Sequence, residues 1–326
     1  MKICFTSYFG LREALKSSTD ELAKLGHEIL DYPLFMNNIH LETKVDDIVA
    51  HFSKFIESHK PDGIFWWCLS IETDHFISIK KSFPNLKYWY FNWDEPYNWN
   101  GAELELKAPY FDSVFVSCLE STSRYLLNGC PKAVYCLPGF DPELFFPYID
   151  PIYKTDVSMI MTNLYSDTSL YPDQVSNRHR LVDLIYKGQA EHGYRFTIYG
   201  PEFLKELYPD SYQGYCKYTD LNRVFNESRI NITTHVVGDK GGYLNERTIT
   251  LIGSGALILI DNVKQLDLNL KPDRDCLVID KENPSLQIAE ILGNYQHYLE
   301  IKKNVLKIRK DHLWNCWAEK INSVLA

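Results

Sequence analysis

The sequence predicts an α/β chain of two doubly wound Rossmann-like domains facing a cleft. Three observations carry this. Short, almost continuously apolar runs alternate with stretches whose apolar residues recur at helical spacing, the pattern of parallel strands covered by helices on both faces. The alternation breaks at residues 137–151, where four prolines fall in fifteen residues, and then restarts. A length of 326 residues suits two such domains, read as 1–150 and 151–326.

Each element has its own reason. Residues 2–7 read as a strand. Residues 11–26 read as a helix with Leu11, Ala14, Leu15, Leu22 and Leu25 on one side and Gly26 as its stop. A strand at 28–32 and a helix at 45–58 follow, the helix marked by Val45, Ile48, Val49, Phe52, Phe55 and Ile56. Further strands lie at 63–69, 87–92, 113–117 and 133–137. In the second domain, strands at 156–161, 195–199, 229–233, 256–260 and 276–279 alternate with helices at 177–187, 220–227 and 246–254. Helices at 284–292 and 295–325 finish the chain, the last expected to pack back toward the N-terminal domain. Doubly wound sheets bind ligands at the carboxyl ends of their strands, so the cleft between the domains is the expected site.

Composition narrows the function. Hydrophobic residues make up 45% and charged residues 24%, with a net charge of −9. Such a chain has no global field for nucleic acid or an anionic membrane; either would need a local basic surface. No apolar run reaches the ~18 residues of a membrane span, and the first residues lack the layout of a signal peptide. The eight cysteines contain no Cys-x-x-Cys pair. They read as reduced thiols of a cytoplasmic protein without a structural zinc site.

The most informative segment is residues 241–261, GGYLNERTITLIGSGALILID. It reads as a loop with paired glycines, a helix, a Gly-Ser-Gly turn and a buried strand. A helix N-terminus offers backbone N–H groups and a positive dipole end to a phosphate, and Arg247 in the first turn adds a guanidinium for the same anion. Gly253 and Gly255 are read as the residues that let the chain reverse. The bland alternative is a helix–turn–strand unit with a surface arginine.

The Asn245-x-Arg247-x7-Gly255 pattern before a buried strand resembles the donor half of GT-B glycosyltransferases, particularly the spore-coat, CgeB-like group. Residues 111–147 are similar to that group's interdomain segment, 156–165 (DVSMIMTNLY) to its first donor-domain strand and turn, and 199–231 to its nucleotide-base region. The resemblance covers most of residues 85–315. It implies a transferase that moves a sugar from a nucleotide diphosphate sugar to a hydroxyl, with no cofactor and no metal. The donor would be held by Arg247, Arg178 (or Arg180), Asn163, Tyr199, Gly200, Lys240, Gly242, Asn245 and Thr250. Here the chain departs from the group: a Glu expected three residues after the Arg to bind the ribose hydroxyls is replaced by Thr250. The Glu-x7-Glu pattern of many retaining enzymes is absent too, its positions holding Gly242 and Thr250. Thr can make single hydrogen bonds but cannot chelate two hydroxyls.

A second constellation is YWYFNWDEPYNW at residues 88–99. Asp94 and Glu95 follow the strand directly, where a carboxylate among aromatics can take a raised pKa and act as a base on a hydroxyl. Trp93, Tyr97 and Trp99 offer flat faces for a sugar. The segment also resembles, more weakly, the Asp-bearing loop of phage DNA β-glucosyltransferase, which implies Asp94 as the base and inversion at the anomeric carbon. That enzyme's Gly-Asp-Lys followed by an Arg is similar to Gly238, Asp239, Lys240 and Arg247. A nucleic-acid acceptor is disfavoured by the −9 charge, which leaves a carbohydrate, glycan or other hydroxyl; a non-catalytic nucleotide or sugar binder is the rival of another class. Asp273-Arg274-Asp275 reads as a solvated turn rather than a metal site. His235 reads either as a satisfied core residue or as part of the donor site.

Overall fold

The computed structural model describes residues 1–8, 10–34, 45–67, 69, 71–93, 99–161, 172–235 and 237–325. Two compact units emerge: Met1–Gly139 with Trp314–Ala326, and Phe140–Leu313.

The first unit is a parallel sheet of β1 (Lys2–Ser7), β2 (Glu28–Pro33), β3 (Gly63–Trp66), β4 (Lys87–Asn92), β5 (Ser113–Val116) and β6 (Ala133–Tyr135) in the order β2-β1-β3-β4-β5-β6. All of β3 and β5 is buried, as is β4 after Lys87, which is why these strands read as continuous apolar runs. Its helices are α1 (Glu13–Lys24), α2 (Val45–His59), α3 (Thr73–Ser82), α4 (Leu104–Lys107) and α5 (Ser121–Leu127). The amphipathic pattern of α1 buries Ala14, Leu15 and Leu22.

The second unit repeats the winding. Its strands are β7 (Thr155–Ile160), β8 (Phe196–Tyr199), β9 (Ser228–Thr233), β10 (Ile258–Ile260) and β11 (Leu277–Val278), in the order β11-β10-β9-β7-β8. The helices are α6 (Pro172–His192), α7 (Leu204–Leu207), α8 (Leu221–Asn226), α9 (Glu246–Ser254), α10 (Pro284–Gly293) and α11 (Tyr295–Ile308). Val157, Met159, Ile230, Ile232, Leu257 and Leu259 form the sheet side of its core, and Val182, Ile185 and Ile288 of α6 and α10 pack within the same cluster. Strand order reverses at β7–β9, so the carboxyl ends of these strands are the place where a ligand is expected.

Two expectations need correction. The division falls at Gly139 rather than at residue 150, because Phe140 and Phe145 are buried within the second unit, against Gly253. The single helix read over 295–325 is two helices. A short 3-10 turn at Arg309–His312 ends α11, and Leu313 pairs with Phe140. The last helix, α12 (Trp314–Leu325), then lies against α1, with Trp317 at 5.5 Å from Phe91 and 6.0 Å from Phe65. No helix is long and apolar enough to cross a membrane among the described residues. The described cysteines form no disulfide, and burial pushes the thiols of Cys136 and Cys276 up to about 12, so both stay protonated and inert.

Candidate active site

The second unit gathers polar side chains where β9 and β10 end. Parallel pairing sets Ile260 beside Thr233, so the residues that follow the two strands meet. The His235 N–H donates to Asp261 Oδ2 at 2.9 Å, and its ring Nδ1 lies 2.7 Å from Asp261 Oδ1. The other ring nitrogen, Nε2, faces Thr248 Oγ1 at 3.5 Å. Tyr243 closes on the same imidazole edge-on at 5.5 Å. His235 is therefore a buried, fully oriented residue of this site, and the sequence left that open. The pair could be inferred only by seeing that each residue follows a neighbouring strand.

Asn245 builds the start of α9. Its Oδ1 accepts from the Thr248 N–H and from the Thr248 hydroxyl, both at 2.9 Å, and its Nδ2 donates to the Thr234 carbonyl at 2.9 Å. Its side chain thus ties the helix to the end of β9 rather than standing open to a donor. Gly255 stops the helix in the left-handed region at φ 65°. Gly253, expected to help this reversal, instead lies inside the helix. A Cβ there would sit 2.7 Å from the Phe140 ring, so its small size admits the phenylalanine.

Arg247, half-buried in the first turn of α9, has its guanidinium pushed down to about 10. Burial is the main cause, and Arg178 is the next; Glu246 and Tyr243 oppose the shift. Arg178 of α6, itself 9% exposed, thus comes near enough for its charge to act on Arg247 at the start of α9. An anion there would favour the charged form of Arg247. Arg180, the other candidate of α6, is exposed and pairs with Glu282.

The remaining residues divide. Lys240 is half-exposed beside Asp239 at 3.6 Å, and the buried Gly242 gives its N–H to the Lys264 carbonyl at 2.9 Å. Tyr199 and Gly200 stand at the carboxyl end of β8, with Met161 N–H bonded to the Tyr199 carbonyl at 2.8 Å. Asn163 lies outside the described residues, as do Asp94, Glu95 and Tyr97. Asp275 corrects the solvated-turn reading. It is 1% exposed and accepts from the Lys271 N–H at 3.0 Å and from Arg274 at 2.7 and 2.8 Å.

Thr250 is also corrected. It is fully buried, and its hydroxyl donates to the Arg247 carbonyl at 2.9 Å. The helix uses the hydroxyl that was expected to meet a ribose. Thr250→Glu should consequently destabilise the fold by at least about 3 kcal/mol through an uncompensated buried charge. Thr250→Val should cost about 1 kcal/mol. Urea unfolding of both variants checks this, and a Thr250→Glu protein as stable as wild type would return the residue to the surface.

In the first unit, Trp93 is half-buried just after β4, its ring 4.8 Å from Trp67 and its carbonyl accepting from Ser117 Oγ at 2.7 Å. Trp99 is 3% exposed, edge-on to Tyr125 at 4.8 Å and beneath the Arg124 guanidinium at 4.3 Å. It serves the core and presents no face to a sugar.

Residues 178–323 match the glycosyl transferase-like family. The sequence matches no curated protein. Among solved structures, sucrose-phosphate synthase of Thermosynechococcus elongatus aligns over 100% of this chain and 98% of its own, with a TM-score of 0.71 at 12% identity. The fold is that of the GT-B glycosyltransferases. Anabaena HepE, solved in complex with UDP-glucose, covers 100% of this chain and 99% of its own with a TM-score of 0.69 at 13% identity. A Rickettsia africae glycosyltransferase covers 99% and 97% with a TM-score of 0.64, also at 13% identity. In this GT-B chain the glycosyl transferase-like match includes α6 from Arg178 onward and all of α9, and so both arginines.

Proposed function

We propose that this GT-B protein transfers a sugar from a nucleotide diphosphate sugar to an acceptor hydroxyl, in the cytoplasm, with inversion and without a metal. One observation carries the reading: Arg247 stands in the first turn of the Asn245-capped helix α9, with the buried Arg178 of α6 near enough to act on its charge. A leaving diphosphate is the ligand such a place suits, and two guanidiniums with a helix dipole can stabilise its charge as a metal does elsewhere. The Asp261–His235 pair and Asn245 hold the end of β9 and the start of α9 in register for that task. Asp94 takes the proton of the acceptor, which we infer to be a carbohydrate, glycan or other hydroxyl compound rather than nucleic acid.

UDP-glucose is the first donor to test, since it is bound in the HepE structure. At 100 times its Kd a donor should add about 2.7 kcal/mol to stability. Transfer or donor hydrolysis should persist in excess EDTA. A panel of nucleotide sugars that neither stabilises the protein nor turns over would end this reading, and turnover abolished by EDTA would end its metal-free part.

A further inference from the structure

The second unit carries a surface that the transfer reaction does not use. After Phe145 the chain runs outward through residues 146–153, with a left-handed turn at Asp150 (φ 53°). Ile149 is 94% exposed and Ile152 81%, while Phe146 and Tyr148 are also exposed. Isoleucines this bare, two in four residues, are unusual on a folded domain.

The flanks of this segment lie along α11. Pro147 and Leu306 both approach Gly255, and the Lys302 Nζ donates to the Tyr153 hydroxyl at 3.3 Å. On the outward side of α11, Lys303, Leu306 and Lys307 are exposed, as is Lys310 in the 3-10 turn that follows. The segment thus ends beside a helix whose exposed side is basic, in a chain whose net charge is −9. Three acids offset part of this charge: Asp156 lies 3.6 Å from Arg229, Glu300 lies 3.0 Å from Lys303, and Asp311 is exposed beside Lys310. Asp150 lies between the two isoleucines.

At one end of the surface an open hollow of about 580 Å³ is lined by Tyr153, Arg229 and the first residues of α11. The Arg229 guanidinium sits 5.7 Å from the rings of both Tyr153 and Tyr295, and its side chain is 41% exposed. Aromatic rings with polar tips beside an accessible arginine suit the level of a lipid headgroup.

We propose that this face docks on an anionic membrane surface, with Ile149 and Ile152 entering the acyl boundary, a lipid phosphate meeting Arg229 in the hollow, and the α11 lysines lying over the headgroups. Neither part suffices alone. Two isoleucines are too little apolar area for stable anchoring, and lysines alone give a weak, salt-sensitive contact; together they form the two-signal arrangement that holds peripheral proteins. The face lies on the N-terminal side of the sheet, where Tyr153 and Arg229 stand at the starts of β7 and β9, so docking leaves the carboxyl ends of the strands open.

Co-sedimentation of the full chain with vesicles tests this, comparing phosphatidylcholine alone with phosphatidylcholine mixed with phosphatidylglycerol. The protein should partition onto the mixed vesicles, and less so as salt rises. Ile149→Ser with Ile152→Ser should lower that partition at least about tenfold, and Lys303→Ala and Lys307→Ala by roughly fivefold each. Asp150→Asn should raise it. These positions are exposed, and unchanged thermal melting would show that the variants fold. Equal binding to neutral vesicles, no binding to either composition, or binding indifferent to the isoleucine pair would each overturn the proposal. The second of these outcomes would turn attention to a protein partner for the same face.

Discussion

Asp94→Asn is expected to lower turnover by roughly 10²–10⁴-fold while leaving donor affinity close to that of the wild type. The substitution keeps the size of the side chain but removes its ability to accept a proton. The residue follows β4 by two positions, at the carboxyl end of a buried strand in a doubly wound sheet, where functional acids of such folds gather. Donor binding is proposed for the other unit, so a base should affect the chemical step alone. Glu95→Gln is the neighbouring control. With the proton-accepting role assigned to Asp94, its effect should be milder. Single-turnover rates with saturating donor separate the two. Near wild-type speed in Asp94→Asn would remove it from the mechanism, and a collapse confined to Glu95→Gln would move the role one residue along.

Arg247→Ala should weaken binding of the nucleotide diphosphate by roughly 10–150-fold, the equivalent of about 1.5–3 kcal/mol for a charge-assisted hydrogen bond. The same change should leave the melting temperature of the unliganded protein equal or higher. The sign follows from the direction of the shift. A guanidinium whose pKa is pushed down on folding is disfavoured in its charged form at every pH below about 10, so at neutral pH its removal relieves the fold. Loss of ligand together with retained or increased stability separates an anion-binding arginine from a structural one. Arg309 offers the contrast, since its guanidinium donates to the carbonyls of Gly253 at 2.7 Å and Phe145 at 3.0 Å and should be costly to remove. Calorimetry and a thermal melt on Arg247→Ala decide the matter, and unchanged affinity would exclude the contact.

Much of the fold was legible because it rests on periodicity. β1, β4 and α9 occupy the residues that their apolar patterns mark. The break between α11 and α12 was not, since residues 295–325 keep an amphipathic pattern throughout and the interruption comes from Leu313 pairing with Phe140, a contact far away in sequence. The site was legible in its backbone and less so in its side chains. The start of α9 and the place of Arg247 follow from the Asn cap and helix pattern. Which of Arg178 and Arg180 turns inward depends on the rotation of α6, and whether Thr250 faces ligand or core depends on what packs against α9. Trp99 shows the same limit, because an aromatic-rich run does not say which of its rings the core will take. His235 and Asp261 stand 26 residues apart, and only the strand register brings them together.

The return of α12 to the first unit bears on how the chain folds as it is made. Trp314, Trp317 and Ile321 fill a place against α1 and the aromatic face of β3 and β4, yet they are translated after the whole of the second unit. A nascent first unit emerges from the ribosome with Phe65, Trp67 and Phe91 lacking their cover, and it stays so while Phe140–Leu313 is synthesised. The second unit, contiguous in sequence, can close as soon as it is complete. Vectorial synthesis therefore favours an order in which the domain begun first is finished last, with an aromatic surface open to chaperones until the final helix arrives.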